Sequence, residues 1–278
     1  MKYGMNLLLW GTEIDDRFFP TLELIKEIGF DGVEVPVHHN KPEHWFKFRA
    51  KLDSLDLLCE TDTFCGAEHN LISPDANVRR RAVTYLKGCL DCSLVLGASK
   101  LMGPLHSALG TFTGNPATEL EWNYAVEGIR EVADYAESLD IVLGMEYLNR
   151  FELYLTSSTQ ELLDFVKAVN HPNCRVMFDT FHANIEEKNV GDAIRLAKDQ
   201  ITFIQLSEND RSTPGAGNVD WDGVFAAIKE INYDGWLSIE AFGLKLPAAN
   251  IWRKMYHNEH QLMREGLAFI KAGMMDKA

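Results

Sequence analysis

The stretch Ile141-Val-Leu-Gly-Met-Glu146 is a short apolar run that stops on an acid. Three later stretches repeat the pattern: Arg175-Val-Met-Phe-Asp179, Ile201-Thr-Phe-Ile-Gln205 and Trp236-Leu-Ser-Ile-Glu240. Short apolar runs bounded by polar turns read as buried strands. A polar residue at the end of each, four times over, is what a parallel β/α barrel sets around its active face, because all strand C-termini open on one side. Side chains distant in sequence then converge. Two Glu, one Asp and one carboxamide form a hard, oxygen-rich set that suits Mn²⁺, Mg²⁺ or Co²⁺ better than structural zinc, which favours thiolate and imidazole. Acids gathered without a cation would repel one another. Glu146, Asp179, Gln205 and Glu240 therefore read as the ligands of one divalent ion.

Working outward, strand-like runs occur at Tyr3–Leu9, Gly32–Val35, Leu57–Phe64, Lys100–Met102, Ile141–Glu146, Cys174–Asp179, Ile201–Leu206 and Trp236–Glu240. Helical periodicity fills the gaps, as in Phe19, Leu22, Ile25 and Ile28, or Val83, Leu86, Leu90 and Leu94. Gly29-Phe-Asp-Gly32 and Asn232-Tyr-Asp-Gly235 are near copies, each with a residue suited to a left-handed helix cap just before a strand. Such echoes fit a repeated βα unit. Eight in series, with no G-x-G-x-x-G after any strand, favour a closed (β/α)8 TIM barrel spanning 1–278 as a single domain over an open doubly wound sheet. The tail from Ala249 to Ala272 reads as a final amphipathic helix, reached through a loop at Phe242–Pro247.

Composition excludes several classes. The 278 residues carry 27 Lys plus Arg against 41 Asp plus Glu, a formal charge of −14, which argues against nucleic acid and anionic lipid as partners. No apolar stretch approaches the roughly 18 residues that a membrane-spanning helix needs. The N-terminus reads as a strand and not as a signal, so a cytosolic protein is expected. Five cysteines without a secretory signal imply free thiols, and Cys89-x-x-Cys92 lies in a helical pattern, Ala76 to Leu96, with no second pair to complete a zinc site.

The longest irregular segments, Glu60–Pro74, Gly103–Pro116 and Ser207–Val219, all follow strands and so fall on the active face. Near the ligand set lie Glu152, His182 and Arg211, suited to holding substrate oxygens. His106 in the loop after the fourth strand is either a further acid, base or substrate contact, or a packing residue. The Gly-rich Ser212–Asn218 segment lacks the Gly-Lys-Ser/Thr of a phosphate loop and reads as a plain turn.

Four ordered stretches, Glu146-Tyr-Leu-Asn-Arg-Phe-Glu152, Phe178-Asp-Thr-Phe-His182, Ser207–Gly217 and Tyr233–Glu240, resemble the ketose 3-epimerases of the xylose-isomerase-like TIM-barrel superfamily, which act on D-tagatose, D-psicose and L-ribulose. The likeness covers nearly the whole chain. It implies one Mn²⁺-type ion, a small sugar substrate and assembly into homodimers or tetramers. It also implies that Glu146 and Glu240 bind the ion and exchange protons with the carbon beside the keto group, while Glu152, His182 and Arg211 hold the sugar. One position departs from the pattern. The epimerases carry His where this chain has Gln205, and the similar hydroxypyruvate isomerases carry Gln there.

A cation on the carbonyl and neighbouring hydroxyl acidifies the intervening C–H, and an enediolate so formed has several exits. Return of the proton on the opposite face by a second Glu epimerises. Return at the neighbouring carbon isomerises aldose and ketose, as in a hydroxypyruvate-type isomerase. Loss of a β-substituent eliminates, as in a lyase acting on a 3-keto-sugar glycoside with a partner subunit. Ketose 3-epimerisation is the leading reading. An endonuclease-IV-like nuclease would need clustered zinc-binding His and a basic face, which this chain lacks, and a sugar-binding barrel without catalysis would not need both Glu146 and Glu240.

Overall fold

The computed structural model describes residues 1–246 and 249–275. Eight parallel strands close on themselves in chain order, β1 Lys2–Asn6, β2 Gly32–Pro36, β3 Leu58–Asp62, β4 Lys100–Gly103, β5 Val142–Met145, β6 Cys174–Asp179, β7 Ile201–Leu206 and β8 Trp236–Ile239, with β8 pairing back to β1. The helices are α1 Phe19–Ile28, α2 Phe46–Ser54, α3 Ala76–Leu96, α4 Glu119–Ser138, α5 Thr159–Val169, α6 Thr180–Glu186, α7 Val190–Ala197, α8 Trp221–Glu230 and α9 Glu259–Met274. This is the expected (β/α)8 barrel.

Two cores follow from the period-2 alternation of strand side chains. Outward-facing Val33, Val35, Leu143 and Ile204 meet the helices in one continuous apolar shell, to which α3 contributes Leu86, Cys89, Leu90 and Cys92. Met102, Met177, Phe203 and Trp236 form a separate buried cluster that fills the barrel interior. The floor of the mouth is therefore packed, and the polar layer sits on top of it. The repeated turn motif behaves as its sequence implies. Gly29 and Asn232 both take left-handed backbone, at φ +102° and +53°, just before β2 and β8.

Several boundaries differ from expectation. The first strand stops at Asn6 because the Asn6 side chain accepts from Leu8 N at 2.8 Å and starts a 3-10 turn over Leu7–Trp10. The third strand stops at Asp62, two residues short of Phe64. The tail helix begins at Glu259 and not Ala249, since Asn258 is the residue whose side chain caps it, at 2.8 Å from Gln261 N. Pro247 of the expected Phe242–Pro247 loop lies outside the described residues, as do Asp276 to Ala278 at the end of the expected single domain. No helix among the described residues is long and apolar enough to cross a membrane.

Candidate active site

Strand ends β5, β7 and β8 bring Glu146, Gln205 and Glu240 to one cavity at the barrel mouth, and the end of β6 sets Asp179 just behind its lining, against Arg211; each of the four is no more than 6% exposed. Asp179 and Gln205 are register partners on neighbouring strands. Asp179 also caps α6, accepting from Phe181 N at 2.9 Å through Oδ1, which leaves Oδ2 to Arg211. Glu146 is set by the chain beside it: its N–H donates to Gly103 O at 3.0 Å. Gly103 has φ +124°, and a Cβ there would lie 2.1 Å from the Thr63 carbonyl oxygen, so β4 brings backbone and no side chain to the ring.

Arg211 enters this acid cluster from the loop after β7, in left-handed backbone at φ +63°. Its Nη1 donates to Asp179 Oδ2 at 2.8 Å, to Ser207 Oγ at 3.1 Å and to Glu240 Oε2. Its Cζ lies over both the Phe181 and Phe242 rings, 3.7 and 4.4 Å from their centroids. Beside it His182 is walled in. Asn149 N donates to His182 Nδ1 at 3.0 Å, Arg211 Nη2 stands 3.0 Å from Nε2, and Nε2 lies 3.5 Å from both Glu146 Oε1 and Asp179 Oδ2. Asn149 Nδ2 reaches Glu152 Oε2 at 2.6 Å and tethers the second Glu to the same knot. The expected residues Glu152, His182 and Arg211 all line the cavity.

His106 does not. It is fully buried behind the wall, with Nδ1 3.1 Å from Ser107 Oγ, Nε2 2.7 Å from Thr156 Oγ1 and the ring edge-on to Phe165. Burial pulls its pKa down to about 3, so the ring is neutral and both nitrogens are in use. The packing alternative holds for His106, and its expected substrate contact is corrected. The Gly-rich segment is also occupied internally. Buried Glu208 accepts from Gly215 N at 2.8 Å, Val219 N at 3.1 Å and Trp221 Nε1 at 2.9 Å, so these N–H groups fold the loop and present no phosphate cradle.

The sequence reading missed three members of the ring. Asn6, Glu34 and Asp62 arrive from β1, β2 and β3, all buried. Asn6 Nδ2 donates to Glu240 Oε1 at 3.2 Å, and Gln205 Nε2 donates to Glu34 Oε1 at 2.7 Å. The second bond fixes the carboxamide with Oε1 toward the cavity. There Gln205 Oε1 has no hydrogen-bond partner among the described residues, and neither have Glu34 Oε2 and Asp62 Oδ2.

Charge is badly balanced as a result. Burial pushes Glu34, Asp62, Glu146 and Glu240 well above the usual carboxyl range, and neighbouring acids add to it: Asp62 on Glu34, Glu240 on Asp62 and Glu146, and Asp179 on Glu240. Burial opposes the charge of Asp179 too, but Arg211 and His182 outweigh it and hold that carboxyl low. Burial and Arg211 drive His182 down to about 3. Arg211 is thus, among the described residues, the one permanent cation within a ring of acids. Donor atoms of Glu146, Asp179 and His182 all lie within 4.8 Å of one another. With the free Gln205 Oε1 beside them, the donors and the excess negative charge fit a hard divalent cation.

The xylose isomerase-like TIM barrel family matches residues 22–273, and the chain belongs to that family. Within it the similarity runs to ketose 3-epimerases. The chain is 32% identical to the D-psicose 3-epimerase of Enterocloster bolteae, over 92% of this chain and 88% of that protein. It is 30% identical to the L-ribulose 3-epimerase of Methylomonas sp., over 98% and 97%. The crystal structure of D-allulose 3-epimerase from Methylomonas sp. in complex with D-allulose superposes with a TM-score of 0.92, at 27% identity over 98% of this chain and 96% of that one.

Proposed function

We propose that this protein is an isomerase that inverts C3 of a free ketose with the help of one divalent ion. The observation that carries the reading is the pairing of Glu146 and Glu240. They stand on β5 and β8 and reach one cavity with Arg211, His182 and Glu152 between and beside them. The kinship to D-psicose and L-ribulose 3-epimerases supports the same class of substrate. It lends nothing to β-elimination or to carbonyl migration.

Glu146, Asp179, Gln205 and Glu240 would hold the ion, with Mn²⁺ preferred over Mg²⁺ or Co²⁺. When bound, such an ion supplies the Lewis acidity that makes a C–H beside a carbonyl removable. His182 is a poorer ligand than Gln205, since Arg211 Nη2 stands 3.0 Å from its Nε2 and would crowd an ion there. The imidazole is better used on a sugar oxygen.

One of the two Glu, as its carboxylate, takes the C3 proton, and the other, as the protonated acid, delivers its proton to the opposite face, so that the pair ends with the two protonation states exchanged. This two-base arrangement inverts a centre that a single base would restore. Both groups have raised proton affinity, because burial and nearby acids disfavour their charge. Arg211, His182 and Glu152 fix the orientation of the sugar, with Arg211 itself held over two rings. The reading extends to a cytosolic protein of carbohydrate metabolism, one folding domain and a dimer or tetramer, tested by a single unfolding transition and by light scattering.

The deciding experiment incubates the Mn²⁺-loaded protein with a panel of free and phosphorylated ketoses in D₂O and reads the label by NMR. Deuterium at C3 with the carbonyl unmoved is the expected result. Label at C1 or C2 with carbonyl migration, or no label in any ketose, overturns it.

A further inference from the structure

Asp62 closes β3 and has no part in the proposed ligand set or proton-transfer pair, yet it lines the same cavity. Its backbone is pinned. Asp62 O accepts from Val37 N at 2.8 Å, and the next residue, Thr63, donates to Met102 O at 2.9 Å and pairs through its hydroxyl with Tyr85 at 2.7 Å. The strand end is therefore fixed in place, and Asp62 is only 6% exposed. Oδ2 has no hydrogen-bond partner among the described residues. A buried acceptor left unmet is costly, and proteins keep such groups chiefly where a ligand completes them.

Two other ring atoms share this condition, and each has a different explanation. Gln205 Oε1 belongs to the proposed ion site. Glu34 is not part of the cavity lining and is engaged by Gln205 from above. Asp62 alone is both cavity-lining and unassigned. Burial and the Glu240 carboxyl raise its proton affinity, with Asn6 acting against them.

We propose that Asp62 is a substrate-contact residue whose Oδ2 accepts a hydroxyl hydrogen from the polyhydroxy chain, outside the carbonyl and carbinol unit that reacts. This rests on the ketose reading above. It gives the β1–β4 side of the barrel its own polar contact with the sugar, across from Arg211 and Glu240. A substrate lacking the hydroxyl would leave the carboxyl unmet and be rejected.

Asp62→Leu and the isosteric Asp62→Asn test it with three readouts on the full chain. Metal-free melting temperature should be unchanged or higher in at least one variant, since an unpaired buried carboxyl is removed. A fall in both marks a structural carboxyl and overturns the assignment. Mn²⁺ stoichiometry should match the wild type, and its loss would make Asp62 an ion ligand instead. For the ketose that the wild type turns over best, KM should rise about 10-fold or more in Asp62→Leu, with less change in kcat and a smaller rise in Asp62→Asn, whose Oδ1 still accepts. An active wild type whose KM survives Asp62→Leu sinks only this assignment. A wild type that exchanges deuterium with no ketose sinks the epimerase reading itself.

Discussion

The two halves of the barrel supply the mouth with different chemistry. From β5 to β8 come Glu146, Asp179, Gln205 and Glu240, reinforced by Glu152, His182 and Arg211, and most of their polar atoms are tied to one another at 2.6–3.5 Å. From β1 to β4 come Asn6, Glu34 and Asp62, a glycine at the end of β4, and the apolar wall of Leu8, Phe64, Pro104 and Leu109. One half is a mutually braced charge network and the other is a shaped wall with a few polar points behind or within it. A reaction needing two bases and an ion draws on the first. Selection among sugars that all present a carbonyl and a carbinol draws on the second.

The division is most exposed to failure at Glu240. Glu240→Gln keeps the shape and the Asn6 contact but cannot return or remove a proton, so turnover should fall about 1,000-fold or more with circular dichroism unchanged. Glu146→Gln should do the same. A variant retaining more than a tenth of wild-type deuterium exchange would mean that the proton-transfer pair has been misassigned. Next in size is Arg211→Met. Removing the guanidinium from Asp179 and Glu240 leaves buried acids uncompensated, a loss of about 3 kcal/mol or more in the metal-free protein. Chemical denaturation measures it. Arg211→Lys should rescue little, because a point ammonium cannot stack over both Phe181 and Phe242.

The same division governed what could be read from sequence. The braced half was legible because its strands end and the chain turns polar at once, as in Glu146 followed by Tyr-Leu-Asn149-Arg150, or Gln205 followed soon by Ser207 and Glu208. In the other half apolar residues run on past the strand. After Asn6 come Leu7, Leu8 and Leu9, a 3-10 turn whose Leu8 walls the cavity, and after Asp62 come Thr63 and Phe64, also wall. Asn6 and Asp62 therefore read as interior positions of longer strands, and Glu34 lay hidden between Val33 and Val35. His106 failed for the opposite reason. Its place after a strand is that of a functional residue, but whether the ring faces cavity or core depends on Thr156 and Phe165, which lie 50 and 59 positions away and leave no local signal.

A point where the halves touch gives a subtler test. Gln205 owes its orientation to Glu34, so Glu34→Ala should free the carboxamide and weaken Mn²⁺ binding about 10- to 100-fold by calorimetry. Glu34→Gln retains an acceptor for Gln205 Nε2 and should bind nearly as wild type. Equal losses in both would mean that charge, and not the hydrogen bond, is the contribution of Glu34, and that the first half belongs to the ion site after all.

The smallest effect is expected at the seam. Helix α4 joins β4 to β5 and opens with a reciprocal cap: Thr118 Oγ1 accepts from Glu121 N at 3.2 Å, while Glu121 Oε2 accepts from Thr118 N at 2.7 Å. These bonds satisfy N–H groups that a helix start leaves bare, and Thr118→Ala removes one of them at a cost of about 1 kcal/mol. In a chain of this size that is a fall of about 2 °C in melting temperature. Thr118 is not part of the cavity lining, and Glu146, the first ring member beyond α4, is held by its own bond to Gly103. Strain at the cap has no path to the proton-transfer pair other than through β5, which is bonded on both sides. Activity at 25 °C should therefore match the wild type. A drop in kcat out of proportion to the lost stability would show that the two halves are mechanically coupled across α4, so that shape and chemistry at the mouth are not separable.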